Sequence, residues 1–180
     1  MVEFVALDAG DEAALEAMSA LATGIVREHY DPIIGREQND YMLERFQSVR
    51  GIREQLEHGC NYRFVRLDGR DVGFLAWYRR DDHLYLSKLY LKRDVRGRGL
   101  GRQMVGYVRK RAEEAGLREI RLNVNRNNST VRIYEKMGFQ VIREEKNDIG
   151  HGFYMDDFVY SLRWQGRETP VHALLSQSRK

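Results

Sequence analysis

KRDVRGRGLGRQMVGYVRKR, Lys92 to Arg111, decides how this chain is read: arginines and glycines crowd together and then pass directly into an amphipathic pattern. Leu100, Met104, Val108 and Ala112 recur on one helical face, and Gly116 stands where a left-handed residue closes such a helix. Before the loop, HLYLSKLYL (His83 to Leu91) is apolar on nearly every second residue and often between, as a central strand should be. After the helix, EIRLNV (Glu119 to Val124) reads as another strand. A strand, a crossover helix and a second strand of this length make a βαβ unit, so the two strands are expected to be parallel neighbours.

The flanks extend this unit into one mixed α/β domain. EFVAL (Glu3 to Leu7) reads as a strand, and Leu15, Met18, Leu21, Ala22, Ile25 and Val26 as the apolar face of a helix. DPIIG (Asp31 to Gly35) is expected to break that helix, before two shorter ones carrying Met42 and Phe46, then Val49, Ile52 and Leu56. YRFVRL and VGFLAWY flank Asp68-Gly69, a pair suited to a tight hairpin turn. Downstream come a short helix from Ser129 to Met137 and two final antiparallel strands, FQVIREE and GFYMDDFVYSL, separated by a loop at Asp148 to His151. The domain is drawn over residues 1–164, with a polar tail over 165–180.

Composition excludes several classes. Of the 180 residues, 42% are hydrophobic and 32% charged, which suits a globular core and argues against disorder. Cys60 is the only cysteine, so no intramolecular disulfide forms. The chain opens on Val2, Glu3 and Phe4 rather than a basic and then apolar leader, and a reducing cytoplasm is expected. No apolar run approaches a membrane span. A net charge of +3 suits an anionic ligand without naming one.

The loop itself favours phosphate. Glycines at 97, 99 and 101 let backbone N–H groups approach a ligand, the following helix N-terminus adds partial positive charge, and Arg93, Arg96, Arg98 and Arg102 offer forked donors that fit a pyrophosphate. The spacing is not that of a P-loop, and no lysine is followed by Ser or Thr. A Rossmann dinucleotide site is disfavoured because the next strand ends Asn123, Val124, Asn125 without an acidic residue. By itself, such a loop is equally consistent with a solvated turn that starts a helix.

A second patch, NVNRNNSTVRIYEKMGF (Asn123 to Phe139), changes the balance. Together the two resemble the GNAT superfamily of acyl-CoA-dependent N-acetyltransferases. The family's pyrophosphate signature, Arg or Gln, two residues, Gly, one residue, Gly or Ala, falls on Arg96, Gly99 and Gly101. Its second signature, an Asn seven residues before a Tyr and then Gly-Phe, falls on Asn127, Tyr134, Gly138 and Phe139.

The resemblance implies a GNAT fold: a single mixed, mostly antiparallel sheet whose central parallel strand pair splays around the coenzyme A arm, flanked by helices. It implies acetyl-CoA as the acetyl donor and no metal. The pyrophosphate is assigned to Arg96, Gly97, Arg98, Gly99, Leu100, Gly101 and Arg102, and the pantetheine arm to backbone groups of Leu89, Tyr90 and Leu91. Asn127 reaches the arm from the other side, with Asn128 in its place if the loop carries a bulge. Tyr134 is the general acid, a phenol that stays protonated at neutral pH. Without the resemblance Tyr134 would read as core, since Val131, Tyr134 and Met137 share helical spacing.

The base and the acceptor stay open. Some relatives carry a glutamate on the central strand or its parallel neighbour, but here those places hold Tyr85, Ser87 and Asn123. Ordered water, Glu28, His29 or His83 are the alternatives. The acceptor, a small-molecule or peptide amine, is expected near Glu28, His29, Tyr30, Tyr41 and Ser87, with further acidic residues at Asp31, Glu37, Asp40 and Asp148. A non-catalytic acyl-CoA sensor would need the loop but not Tyr134. A nucleic-acid module would use Arg96, Arg98, Arg109, Arg111, Arg121 and Arg126, yet 27 acidic residues nearly balance 30 basic ones and no readout motif occurs. Neither nucleic acid nor membrane is an expected partner; homodimers are common in the family.

Overall fold

The computed structural model describes residues 1–166. Its sheet is built from β1 (Val2–Ala6), β2 (Asn61–Leu67), β3 (Arg70–Arg79), β4 (Leu84–Leu91), β5 (Glu119–Asn125), β6 (Gln140–Gly150) and β7 (Phe153–Arg163). Helices α1 (Glu12–Ile34), α2 (Arg36–Gln47), α3 (Val49–Glu57), α4 (Leu100–Glu114) and α5 (Val131–Lys136) flank it. The strand order is β1-β2-β3-β4-β5-β7-β6, antiparallel throughout except for the parallel pair β4–β5. The expected tail lies, from residue 167 on, outside the described residues.

Each face of the sheet has its own core. Leu100, Met104, Val108 and Ala112 of α4 pack with Trp77, Leu86, Ile120 and Leu122. On the other face Leu15, Met18, Ala22 and Ile25 of α1 pack with Ile52, Tyr62, Phe64 and Phe74. Between β2 and β3, Asp68 and Gly69 take φ of 49° and 79°, the paired left-handed conformation that hairpin turns require. Gly73 is obligatory for a different reason: a Cβ there would lie 2.3 Å from the Tyr90 carbonyl oxygen, so β3 meets β4 at this residue only without a side chain.

Three boundaries differ from the sequence reading. Asp31–Gly35 does not break α1 at its start. The helix runs through Pro32 to Ile34, where Gly35, at φ 84°, ends it. Its last turn is held from outside, because Asn39 Nδ2 donates to Asp31 Oδ1 at 2.7 Å. The short helix expected over 129–137 contracts to Val131–Lys136. Finally, β6 extends to Gly150, so Asp148 and Ile149 belong to a strand and the turn is His151-Gly152, again with positive φ at both.

The parallel pair is short. Leu84 pairs with Ile120 and Tyr85 with Arg121, and the ladder stops there. Immediately beyond, β4 has one residue too many against β3: Trp77 faces Leu86 and Ala76 faces Lys88, leaving Ser87 as the bulge. β5 meanwhile bends away to pair with β7 along its whole length. The strands therefore open into a wedge from Leu86 to Leu91.

Glu119 anchors the closed end. Its carboxylate accepts from Arg121 Nε (2.6 Å), Ser161 Oγ (2.7 Å) and Arg163. Burial pushes its pKa up, but these donors outweigh burial and hold it at about 2. A lowered native pKa stabilises above the unfolded value of 4.5, and that stability is lost as pH falls toward 2. Glu119→Gln is expected to cost about 1–2 kcal/mol at pH 7. The difference from wild type should shrink between pH 4.5 and 2 in thermal melts at graded pH.

Candidate active site

The wedge is the inner wall of a cleft of ≈ 380 Å³ lined by β4, the glycine loop, the start of α4, the end of β5 and α5. Gly97 and Gly99 adopt φ of 75° and 77°, and Gly99 precedes α4 with no side chain capping the helix. Gln103 N–H is the first to bond back, to the Gly99 carbonyl, so the N–H groups of Leu100, Gly101 and Arg102 are the orphan donors of the helix start. Arg96 is held across the loop by Nε donating to the Leu91 carbonyl at 3.0 Å. Arg102 donates to the Lys136 carbonyl at 3.3 Å, which ties α4 to α5 across the cleft. Uncapped N–H groups, a helix dipole and two guanidinium groups at one mouth are an arrangement that can receive an anion.

On the opposite lip stands Tyr134. Its ring packs edge-on against Phe139, while its hydroxyl makes no hydrogen bond to the described residues. Burial drives its pKa up, and the phenols of Tyr30 and Tyr90 are raised by the same cause, so three neutral hydroxyls surround the inner cleft.

The turn after β5 settles which asparagine faces inward. Asn125 Oδ1 accepts from the Asn127 N–H and the Asn125 carbonyl accepts from the Asn128 N–H, both at 2.9 Å. That tight turn leaves Asn127 exposed and outside the cleft, and buries Asn128 within it. Asn128 Oδ1 accepts from His29 Nε2 at 3.1 Å, and its Nδ2 donates to the Tyr30 hydroxyl at 3.3 Å.

The other expected site residues divide. Leu89, Tyr90, Leu91, Arg96, Gly97, Gly99, Leu100, Gly101 and Arg102 line the cleft, as do His29, Tyr30 and Ser87. Arg98 is exposed on the outer side of the loop. Glu28 faces a neighbouring groove, with Arg93 Nη1 3.9 Å away. Tyr41 is not in the cleft: its hydroxyl donates to the Ile149 carbonyl at 2.7 Å and its ring packs on His151, so it pins α2 to the β6–β7 hairpin.

The His29 imidazole is shifted toward its neutral form. Burial lowers its pKa, the Asn128 bond opposes this, and Arg96 lowers it further. His83 lies outside the cleft, bonded to Asp82 at 2.6 Å. Lys88, with its pKa lowered to about 8 by burial, donates to Gln55 Oε1 beneath α3.

One buried carboxylate escaped the sequence reading altogether. Asp157 on β7 is 3% exposed and is not part of the cleft lining; its carboxylate accepts at 3.3 Å from Nδ2 of Asn123, which does line the cleft. The available signal was its parity: Asp157 shares a strand face with Val159 and Ser161, both buried. The basic residues of a nucleic-acid reading are mostly engaged, since Arg109, Arg111, Arg121 and Arg126 each pair with a carboxylate. Among the described residues, no three His, Cys, Asp or Glu side chains are grouped to hold a metal ion, and no helix is long and apolar enough to cross a membrane.

A family model described as an acetyltransferase (GNAT) domain matches residues 30–154, more than half of the chain. The chain belongs to the GNAT acetyltransferase family. Its fold agrees. The PaiA N-acetyltransferase from Thermoplasma acidophilum, solved with coenzyme A, aligns with a TM-score of 0.74 at 21% identity, over 91% of this chain and 99% of that one. A GCN5-related N-acetyltransferase from Rhodopseudomonas palustris aligns at 0.72 and 16%, over 91% and 95%. An aminoglycoside 6′-acetyltransferase type Ii aligns at 0.63 and 16%, over 93% and 99%. At such identities the likeness is one of fold. No curated protein sequence matches this GNAT chain.

Proposed function

We propose that this GNAT acetyltransferase carries the acetyl group of acetyl-CoA to a primary amine of a small molecule or peptide, both substrates being bound together. The observation that supports this most is the wedge: a β4 edge without a strand partner from Leu86 to Leu91, ending at an uncapped helix N-terminus, with the free hydroxyl of Tyr134 on the facing lip.

Each residue's part follows from what acyl transfer needs. The N–H groups of Leu100, Gly101 and Arg102, with the Arg96 and Arg102 guanidinium groups, hold the pyrophosphate. The exposed β4 edge binds the pantetheine amides as an added strand would, and an N–H of Leu89, Tyr90 or Leu91 polarises the thioester carbonyl. Asn128, rather than Asn127, closes the arm from the other side. The Tyr134 hydroxyl donates to the leaving thiolate.

Melts with acetyl-CoA, NAD, ATP and a short DNA duplex test the donor. Acetyl-CoA alone should raise Tm, and Arg96→Ala should reduce the shift. Thiol release from acetyl-CoA over a panel of primary amines then tests turnover. Acetyl-CoA binding with no release for any amine would make the protein a sensor; binding to DNA in its place would sink the acetyl-CoA reading.

A further inference from the structure

Behind Tyr30, Ser87, Tyr90 and Asn123, which it shares with the cleft, lies a smaller chamber of ≈ 110 Å³. On its far side it shares Tyr85, Asn123, Met155 and Asp157 with an outer pocket of ≈ 630 Å³. The chamber is walled with acceptors that lack donors. Asn39 Oδ1 and Gln47 Oε1 are buried without any hydrogen-bond partner, in residues that are 0% and 7% exposed. The Asp157 carboxylate has the single bond from Asn123, whose own Oδ1 accepts from the Tyr85 hydroxyl at 2.9 Å.

No basic side chain among the described residues pairs with Asp157. Glu145 faces it across β6 and is held by Arg143. Neighbouring Asp156 is taken by Arg126, Arg121 is engaged by Glu119 and Asp82, and the Lys146 ammonium sits over Tyr154. From α1 and β4 the chamber presents the phenols of Tyr30, Tyr85 and Tyr90.

An unpaired carboxylate and two orphaned amide oxygens call for a cation with several N–H donors. A primary ammonium carries three; a hydroxyl carries one and would leave buried acceptors unmet. We propose that Asp157 binds the acceptor's primary ammonium in this chamber and takes its proton, which rests on the acetyltransferase reading above. Asn123 and Tyr85 orient the carboxylate and are positioning residues.

The step balances. R–NH3⁺ gives one proton to the Asp157 carboxylate. The freed nitrogen lone pair attacks the thioester carbonyl carbon, and as the C–S bond breaks the sulfur receives the Tyr134 proton. The second proton lost from nitrogen restores Tyr134, and Asp157 releases its own through the outer pocket to solvent. The environment of Asp157 agrees with this role. Burial raises its pKa, the Asn123 bond opposes this, and Glu145 and Asp156 add to the rise, leaving it at about 6: ionised at pH 7, and more basic than an exposed aspartate.

The test uses Asp157→Asn, with butylamine, 1,4-diaminobutane and lysine methyl ester as probes. With an enzymic base, wild-type kcat/KM should rise through an acid limb near pH 6 and then stay level toward the pKa of the amine. In Asp157→Asn, neutral amine must come from solution, so kcat/KM should climb tenfold per pH unit without levelling, roughly 100-fold below wild type at pH 7. Acetyl-CoA affinity should be unchanged.

A purely structural role would behave differently. Because the native pKa is raised, the contribution of Asp157 to wild-type stability is fully present below 3.8 and is lost as pH rises through about 6. Asp157→Asn should therefore melt higher than wild type at pH 7.5 and show no gain near pH 4, losing activity while gaining stability. The probes, titrated with and without coenzyme A, should raise the wild-type Tm and not that of the variant. The proposal is overturned if both proteins share one pH profile, or if acetyl-CoA stabilises the wild type while no probe is bound or acetylated. Absence of acetyl-CoA binding would instead remove the donor reading, and the probe titration without coenzyme A would still decide for or against the chamber.

Discussion

Acetyl-CoA affinity is expected to fall at least about 100-fold in Gly101→Glu, roughly 2.7 kcal/mol of binding, while the fold is untouched. Gly101 lies in the first turn of α4, its φ is helical, and a Cβ built on it meets no atom within 4 Å. Nothing in the folded protein resists a side chain there. Replacing glycine gains about 0.5–1 kcal/mol of helix propensity, and a carboxylate in the first turn gains a few tenths more from the helix dipole. Tm should hold or rise by a few degrees.

The same space is where the pyrophosphate would sit against the N–H groups of Leu100, Gly101 and Arg102, so the new carboxylate fills the seat and repels the ligand. Gly101→Ala, which adds bulk without charge, should lose far less. Calorimetric titration beside a melt reads both quantities, and an affinity within threefold of wild type would remove the seat from this end of the cleft.

Tyr134→Phe should lower kcat by 10- to 100-fold, with acetyl-CoA affinity within about twofold and stability within about 0.5 kcal/mol. The hydroxyl has no partner among the described residues, so its loss strands nothing. The ring contacts with Phe139 and Tyr160 survive in phenylalanine. In the proposed mechanism what disappears is the donor to the leaving thiolate, which would act only as the C–S bond breaks and so would appear in kcat rather than in ground-state binding. A raised phenol pKa keeps the group protonated across the working pH range. Retained kcat would return Tyr134 to the role its helical spacing suggests, a filler between α5 and the sheet.

The local grammar of this chain was legible from its residues alone. Apolar repeats at 3.6 spacing marked the face of α4, and the Asp68-Gly69 pair marked its hairpin, because both depend on side-chain direction and backbone φ within a few residues. The glycine loop suggested phosphate for the same reason, left-handed residues and a helix start being properties of a short segment, but by itself it read equally well as a solvated turn. The two spaced signatures then pointed to the family.

Facing and enclosure were decided by the tertiary structure. Asn127 and Asn128 are adjacent and chemically identical, and only the turn closed on Asn125 rotates the second inward and the first to solvent. Tyr41 shares a helical segment with charged residues that suggested a binding surface, yet the β6–β7 hairpin claims its hydroxyl. Asp157 looks in the sequence like half of a solvated Asp-Asp pair. Strand alternation turns it away from Asp156, and α1 and α2, reaching over the opened end of β4, roof it into a chamber with Asn39 and Gln47. Periodicity tells which residues share a face; what covers that face depends on contacts between segments more than 100 residues apart, and desolvation there raises the Asp157 pKa above that of an exposed aspartate.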